Sequence, residues 1–222
     1  MHAFSSGPRH ALEHEDPLVE VWFPVRFERI PSDHGYALYA AIARRLPQLH
    51  EADWWGLHTI AGQRDGSGWI HPLRGGSRMG VRLPARRIAD LLPLSGTVLR
   101  LRGAAVAVGP PYVQAVVPGA RLQARIVTIR NHMDATTFAS AAREQLDRMG
   151  IEGTLAVGRR QVVHVAGKAV VGFAVEVSKL SPEASRRLVR VGLGGRRRLG
   201  CGLFVPARRP LRRDARPVVV SP

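Results

Sequence analysis

An α+β fold of two tandem ferredoxin-like units, each ordered β-α-β-β-α-β, is what the sequence predicts, and three observations predict it. Apolar residues alternate in short runs and recur at helical spacing in longer ones; the same order of runs occurs twice; and a proline-bearing stretch separates the two occurrences. The boundaries expected are 18–108 for the first unit, 109–121 for a linker, 122–206 for the second unit and 207–222 for a mobile basic tail. With 222 residues and 45% hydrophobic content, the chain can bury one substantial core or two small ones.

The first unit opens on Val19 to Phe27, which alternates as a strand, with Pro24 marking an edge or a bulge. Ser32 and Asp33 are placed to cap a helix over Gly35 to Leu46, where Leu38, Ile42, Leu46 and Leu49 share one face and Pro47 disturbs the last turn. Strands are expected at Gly56 to Ala61, Trp69 to Leu73 and Arg78 to Leu83, a short helix at Ala85 to Leu92, and further strands at Thr97 to Leu101 and Ala104 to Val108. Pro110, Pro111 and Pro118 then break regular structure.

The second unit repeats the order. Leu122 to Ile129 alternates as a strand; Asp134 caps a helix carrying Phe138, Ala142, Leu146 and Met149, and Gly150 stops it. Strands at Thr154 to Val157, Gln161 to Val165 and Val170 to Val177 precede a helix from Pro182 to Val191, a glycine-rich loop and a closing strand, Cys201 to Val205. No residue-level repeat relates the halves, so the duplication rests on architecture.

Charge narrows the partner. Lys plus Arg number 33 against 17 Asp plus Glu, a net charge of +16, and all the cations but Lys168 and Lys179 are arginine. Arginine's planar fork suits bidentate phosphate contacts and base stacking, so a polyanion is the natural ligand: RNA, DNA or an acidic membrane on charge alone. A GC-rich genome would also raise arginine, but eleven arginines against two acids between Glu183 and Arg216 is a local footprint, which favours binding. Cys201 stands alone, so an intrachain disulfide and a cysteine-rich zinc site are both excluded, and a reducing cytoplasm fits. The first seventeen residues lack the apolar core of a signal peptide, and no run reaches the ~18 apolar residues of a membrane span. Cytoplasmic residence without membrane partners is expected.

The most informative segment is Gly192-Leu193-Gly194-Gly195-Arg196-Arg197-Arg198-Leu199-Gly200-Cys201-Gly202-Leu203-Phe204. Glycines permit positive φ and close approach, while amides and guanidinium groups can hold phosphates. It carries neither the Gly-Lys-Ser/Thr ending of an ATP phosphate loop nor a dinucleotide fingerprint. Gly192, Gly194, Gly195, Arg196, Arg197, Arg198, Gly200 and Gly202 are therefore the candidate residues for holding the phosphates of a polyanion.

A glycine-rich loop between the last helix and last strand of a doubled ferredoxin-like protein resembles the repeat-associated RAMP superfamily of CRISPR systems, and this loop resembles its branch that cleaves precursor repeat RNA. Asp33-His34-Gly35-Tyr36-Ala37-Leu38-Tyr39-Ala40-Ala41-Ile42 followed by Leu49-His50-Glu51 is similar to that branch's first helix and the Leu-His pair after it. The resemblance implies an endoribonuclease maturing CRISPR guide RNA, with Tyr39 and His50 in the active site. His34 matches a histidine that some relatives use near the start of this helix. Many relatives add a catalytic lysine soon after the histidine; no lysine precedes Lys168 here, which leaves Arg44, Arg45 or Arg74 to supply a cation, or histidine acting alone.

Ribonuclease chemistry without a metal needs a base for the ribose 2′-OH, an acid for the departing 5′ oxygen, and cations for the phosphorane; imidazole suits the first two. Products would be a 2′,3′-cyclic phosphate and a 5′-OH. The nine histidines and scattered acids show no ligand-like spacing, so neither a metal nor another cofactor is called for. His58, His71, His132 and His164 read as structural, and Trp54, Trp55 and Trp69 as packing rather than base-stacking groups. Expected partners are precursor and mature CRISPR RNA, with other effector subunits as further candidates. The competing reading is a non-catalytic RNA-binding RAMP subunit of a CRISPR effector complex, which needs the basic surface but no histidine at a scissile phosphate.

Overall fold

Alternation along Leu18–Arg26 (β1) sends Val21, Phe23 and Val25 to one buried face, where Leu38, Ala41 and Ile42 of the helix Gly35–Arg45 (α1) pack on them. The computed structural model that shows this describes residues 16–207, residue 211 and the backbone of 218–220. Ile30–Pro31 (β2), Gln63–Arg64 (β4) and Trp69–His71 (β5) form a small separate sheet. Gly56–His58 (β3), Ser77–Pro84 (β6), Val98–Leu101 (β7) and Ala104–Val108 (β8) complete the first unit. Its sheet runs β3-β6-β1-β8-β7, all neighbours antiparallel. Within it, β8-β1-β6-β3 is the arrangement a β-α-β-β-α-β run takes when its first and third strands lie at the centre. A 3-10 stretch, Ala85–Leu94 with Pro93 inside, occupies the place where a short α-helix is expected.

The second unit has the same arrangement. Arg121–Val127 (β10), Thr154–Val165 (β11), Lys168–Ser178 (β12) and Val205–Pro206 (β13) follow the order β13-β10-β12-β11. The helices Ala135–Arg148 (α2) and Pro182–Val191 (α3) start on caps, Asp134 accepting from the amides of Thr136 and Thr137 and Ser181 from Ala184, each such cap contributing about 1 kcal/mol. Phe138, Phe173, Leu146, Val175 and Leu188 anchor a core distinct from that of the first unit. The two strands expected over 154–165 are one strand whose register shifts between Val157 and Arg160.

Four further sequence expectations are corrected. The stretch 109–121, expected as a linker, holds the strand Tyr112–Ala115 (β9), which pairs with Val19 to Trp22 of β1. The cause lies in β1: β8 pairs only with Val25 and Arg26, leaving the rest of that edge with open backbone groups that β9 satisfies. Pro24 sits where the two ladders change over, so its missing N–H interrupts neither. Second, the closing strand is confined to Val205–Pro206, because Cys201 to Phe204 run as irregular backbone. Third, the expected basic tail includes Val218–Val220 (β14), which pairs with Leu155 to Val157 at the free edge of β11. Its arginines at 208, 209, 212, 213 and 216 lie outside the described residues, as do residues 1–15. Fourth, neither Ser32 nor Asp33 caps α1; the cap position is His34, with no side-chain cap bond. Among the described residues no helix is long and apolar enough to cross a membrane.

Candidate active site

The end of α1 and the chain after it build the site. Pro47–Leu49 forms a 3-10 turn with Pro47 at its start, where the absent N–H costs nothing, and His50 follows as its exposed C-cap. Trp55 fixes this turn from below: fully buried, it donates its indole N–H to the Leu49 carbonyl at 3.1 Å. Tyr39, in the middle of α1, stacks on Trp55 with ring centroids 5.9 Å apart. Its hydroxyl donates to the His50 carbonyl at 3.0 Å and lies 3.4 Å from His50 Nδ1. With the hydroxyl proton so used, the phenol oxygen is free to accept from Nδ1–H, which leaves Nε2 as the open nitrogen of neutral imidazole. Tyr39 and His50, eleven residues apart, thus form one unit.

His34 is not part of it. Only 3% exposed, its ring has Nδ1 2.8 Å from the Pro31 carbonyl and Nε2 accepting from the Ile60 amide at 3.0 Å. Both nitrogens are committed to backbone, which ties the start of α1 to the chain after β3. Burial lowers the pKa of His34 below the usual histidine value, against the smaller opposing pull of the Pro31 carbonyl.

The glycine-rich loop reaches this site from the second unit. Gly195 N–H donates to Thr128 O at 3.0 Å and Gly202 N–H to Ile126 O at 2.8 Å, which pins the loop at both ends to β10 and the residue just beyond it. Between them Arg197–Leu199 makes one 3-10 turn. The Leu199 carbonyl lies so close to Gly35 that a Cβ there would stand 2.5 Å from it, so glycine at the head of α1 is what admits the loop. Arg196, Arg197 and Arg198 then diverge. Arg196 is exposed, while Arg197 and Arg198 are half-buried, and Arg197 has an Nε that is enclosed without a partner. Arg198 crosses to the first unit, donating from Nη1 to the carbonyls of His50 and, at 3.1 Å, Ala52, with its guanidinium carbon 5.6 Å from the Tyr39 ring centre.

Of the cations considered for the lysine's place, Arg44 lines a shallow groove with His50, Glu51, Gln48 and Pro47. Arg45 faces a different groove with Arg100. Three other histidines are engaged elsewhere, His58 with Glu20 at 2.9 Å, His71 with Asp65 at 3.2 Å and His164 with Asp33 at 2.9 Å, whereas His132 has an enclosed Nδ1 without a partner, and His2, His10 and His14 lie outside the described residues. Among the described residues, no three His, Cys, Asp or Glu side chains gather in a way that could hold a metal ion. Trp54 and Trp69 are half-buried under the guanidinium groups of Arg87 and Arg29.

Sequence reasoning missed two features. One is the buried junction in which Glu20 receives Arg82 Nη2 at 2.6 Å and Arg82, 1% exposed, also donates to Val189 O of α3 at 3.2 Å. The other is the reach of Arg198 into the first unit. The alternating polar positions Glu20 and Arg82 carry a signal for the first; nothing local signals the second.

Comparison with known proteins agrees with this architecture. The family model described as Cas6 Crispr matches residues 19–209. A CRISPR-associated endonuclease Cas6 from Myxococcus xanthus is 41% identical over 195 residues, covering 88% of this chain and 84% of that protein. A solved Cas6-related protein from Pyrococcus furiosus superposes with a TM-score of 0.61 at 11% identity, over 86% of this chain and 98% of that one. A RAMP protein described as binding different RNA substrates gives 0.62 at 14% identity, over 86% and 100%. At such identities the two structures speak for the fold alone, the tandem ferredoxin-like architecture built above. The family match across both units and the identity to a curated relative place this chain in the Cas6 family.

Proposed function

We propose that this chain is an endoribonuclease that binds CRISPR repeat RNA and cleaves one phosphodiester without a metal, leaving a 5′-OH and a 2′,3′-cyclic phosphate. The observation that carries the reading is the joined Tyr39 and His50, with His50 exposed and its Nε2 open. The naming of the 41%-identical relative as a CRISPR-associated endonuclease supports endonuclease activity in a CRISPR system.

In this mechanism His50 Nε2 takes the proton from the 2′-OH, whose oxygen attacks phosphorus. The bond to the 5′ oxygen breaks, and the imidazolium returns the proton to that oxygen. Tyr39 holds the ring by its Nδ1 side, and Arg44, in the same groove, stabilises the charge on the phosphorane. Arg196, the exposed arginine of the loop, contacts RNA phosphate, with Gly192, Gly194, Gly195, Gly200 and Gly202 shaping the loop behind it. His34 acts through structure, by seating α1.

A repeat RNA carrying 2′-deoxyribose at the cut site tests this reading. The modified RNA should bind as the unmodified one does and remain uncut, while cutting of the unmodified RNA persists in excess EDTA. Cleavage of the deoxy substrate, or loss of cleavage with EDTA, contradicts the mechanism. Binding without cleavage of either RNA would favour a non-catalytic RAMP subunit.

A further inference from the structure

We infer that Arg198 is a positioning residue for His50, so that the glycine-rich loop of the second unit holds the catalytic turn of the first in shape rather than serving solely as an RNA clamp. The inference rests on the proposed role of His50 and deepens it.

Three contacts converge on one side chain. Arg198 Nη1 donates to the His50 carbonyl and, at 3.1 Å, to the Ala52 carbonyl, and the guanidinium carbon lies 5.6 Å from the centre of the Tyr39 ring. Nη1 carries two N–H groups, and these two carbonyls use both. The chain after the 3-10 turn is irregular and exposed at His50, Glu51 and Asp53, so its carbonyls have no ladder to join. Arg198 supplies the donors that a strand or helix would otherwise provide. The same His50 carbonyl accepts from Tyr39, which makes it the point where α1, the catalytic turn and the loop meet.

The rest of the loop is built to hold Arg198 in place. Leu199 seats against Gly35, Gly200 accepts through its carbonyl from Arg125 at 3.3 Å, and Gly202 is tied to Ile126 on β10. A side chain anchored at both ends of its own turn, and spending one nitrogen on two backbone carbonyls, is poorly placed to follow a phosphate. Arg196, two residues earlier and exposed, has no such ties across the junction. The run of three arginines therefore divides, Arg196 facing ligand and Arg198 facing the turn. Lysine cannot replace Arg198 fully, because a point charge cannot bridge two carbonyls and lie flat over a ring together.

The test separates positioning from binding. Arg198→Ala should slow single-turnover cleavage at saturating protein at least about tenfold, since a misplaced reacting group loses rate without losing affinity. Its affinity for repeat RNA should stay within about twofold, with the salt dependence of binding unchanged. Backbone hydrogen exchange should rise about tenfold or more in a peptide spanning 47–56 and stay at the wild-type level in β10 and β12. Arg196→Ala should do the reverse, weakening binding and reducing the log–log salt slope by roughly 0.7 to 1 while sparing the saturating rate. Arg198→Lys keeps the charge, and should keep affinity and slope while recovering only part of the rate; it also carries the test should Arg198→Ala fail to fold. Wild-type exchange and cleavage in both Arg198 variants, or a reduced salt slope with a normal saturating rate, overturns the inference and leaves Arg198 a phosphate contact. The exchange readout needs no chemistry, so a His50→Ala protein that still cleaves would refute the catalytic assignment while leaving the structural clamp measurable on its own.

Discussion

The Tyr39 hydroxyl donates to the carbonyl of His50 at 3.0 Å while its ring lies stacked on the buried indole of Trp55, so the position of the turn that carries His50 is transmitted from the core through one phenol. Tyr39→Phe removes the hydroxyl and keeps the stack. Single-turnover cleavage should fall roughly three- to thirtyfold with unchanged repeat affinity, the loss of one hydrogen bond of about 1 kcal/mol plus some misalignment of imidazole. A wild-type rate in Tyr39→Phe would remove Tyr39 from the site.

Glu20 and Arg82 give the molecule a measurable pH signature. Burial alone would raise the Glu20 carboxyl, but hydrogen bonds and charge from His58 and Arg82 outweigh it and hold the pKa at about 2 rather than 4.5. The folded state therefore favours the ionised carboxylate, and the unfolded chain binds more protons between those values. The stabilisation is complete above pH 4.5 and is lost as pH falls toward about 2. Glu20→Gln should cost on the order of 2–3 kcal/mol at pH 7, a gap to wild type that narrows below pH 4.5 in denaturant titrations. A gap independent of pH would show that shape and not charge holds this junction.

His34 should report on stability before chemistry. His34→Ala leaves the Pro31 carbonyl and the Ile60 amide without partners and opens a cavity, at about 2–4 kcal/mol. Because burial depresses its pKa below 6.5, the neutral ring's contribution is whole above that pH and declines as pH falls through the folded value. Protonated Nε2 would also face the Ile60 N–H donor to donor. The folded fraction of His34→Ala should cleave within a few-fold of wild type. Normal melting with a hundredfold loss of cleavage would make His34 an acid/base group after all.

Two adjacent glycines of the loop should respond oppositely. Gly194 has φ of +68° and a Cβ there would run into the Thr128 carbonyl, whereas nothing lies within 4 Å of a Cβ at Gly195. Gly194→Val should destabilise the protein by about 1–2 kcal/mol or more. Gly195→Ala should melt as wild type does, so any loss of repeat affinity in it reads close approach of RNA to the loop. Equal melting of the two variants would contradict the packing described for Gly194.

Elements whose ends carry their own chemistry were legible in the sequence. α3 spans Pro182–Val191 as expected because Ser181 caps it, Pro182 fits its first turn and Gly192 stops it. α2 follows Asp134 for the same reason. What failed depends on distant partners. Tyr112 to Ala115 sits between prolines and reads as linker, and becomes a strand only because β1 offers an unpaired edge. Asp33 has a capping residue's chemistry, yet its carboxylate accepts from the backbone and ring of His164 on β11 at 2.7 and 2.9 Å. The assignment of Tyr39 and His50 to the site rests on family resemblance, because a tyrosine on a helix and an exposed loop histidine carry no pattern alone; that the two touch is visible only in the fold. The three arginines were recognised as a group and their division was invisible, since the partners of Arg198 lie in the other half of the chain.

The most direct test of the central claim is single-turnover cleavage of repeat RNA by His50→Ala at saturating protein, with affinity measured on the same preparation. His50 is exposed and its ring packs beside Tyr39 rather than in the core, so the variant should fold and bind as wild type does. Its cleavage rate should fall at least about a hundredfold, the scale lost with one general acid/base group. A folded His50→Ala protein that cleaves repeat RNA at the wild-type rate would contradict the account.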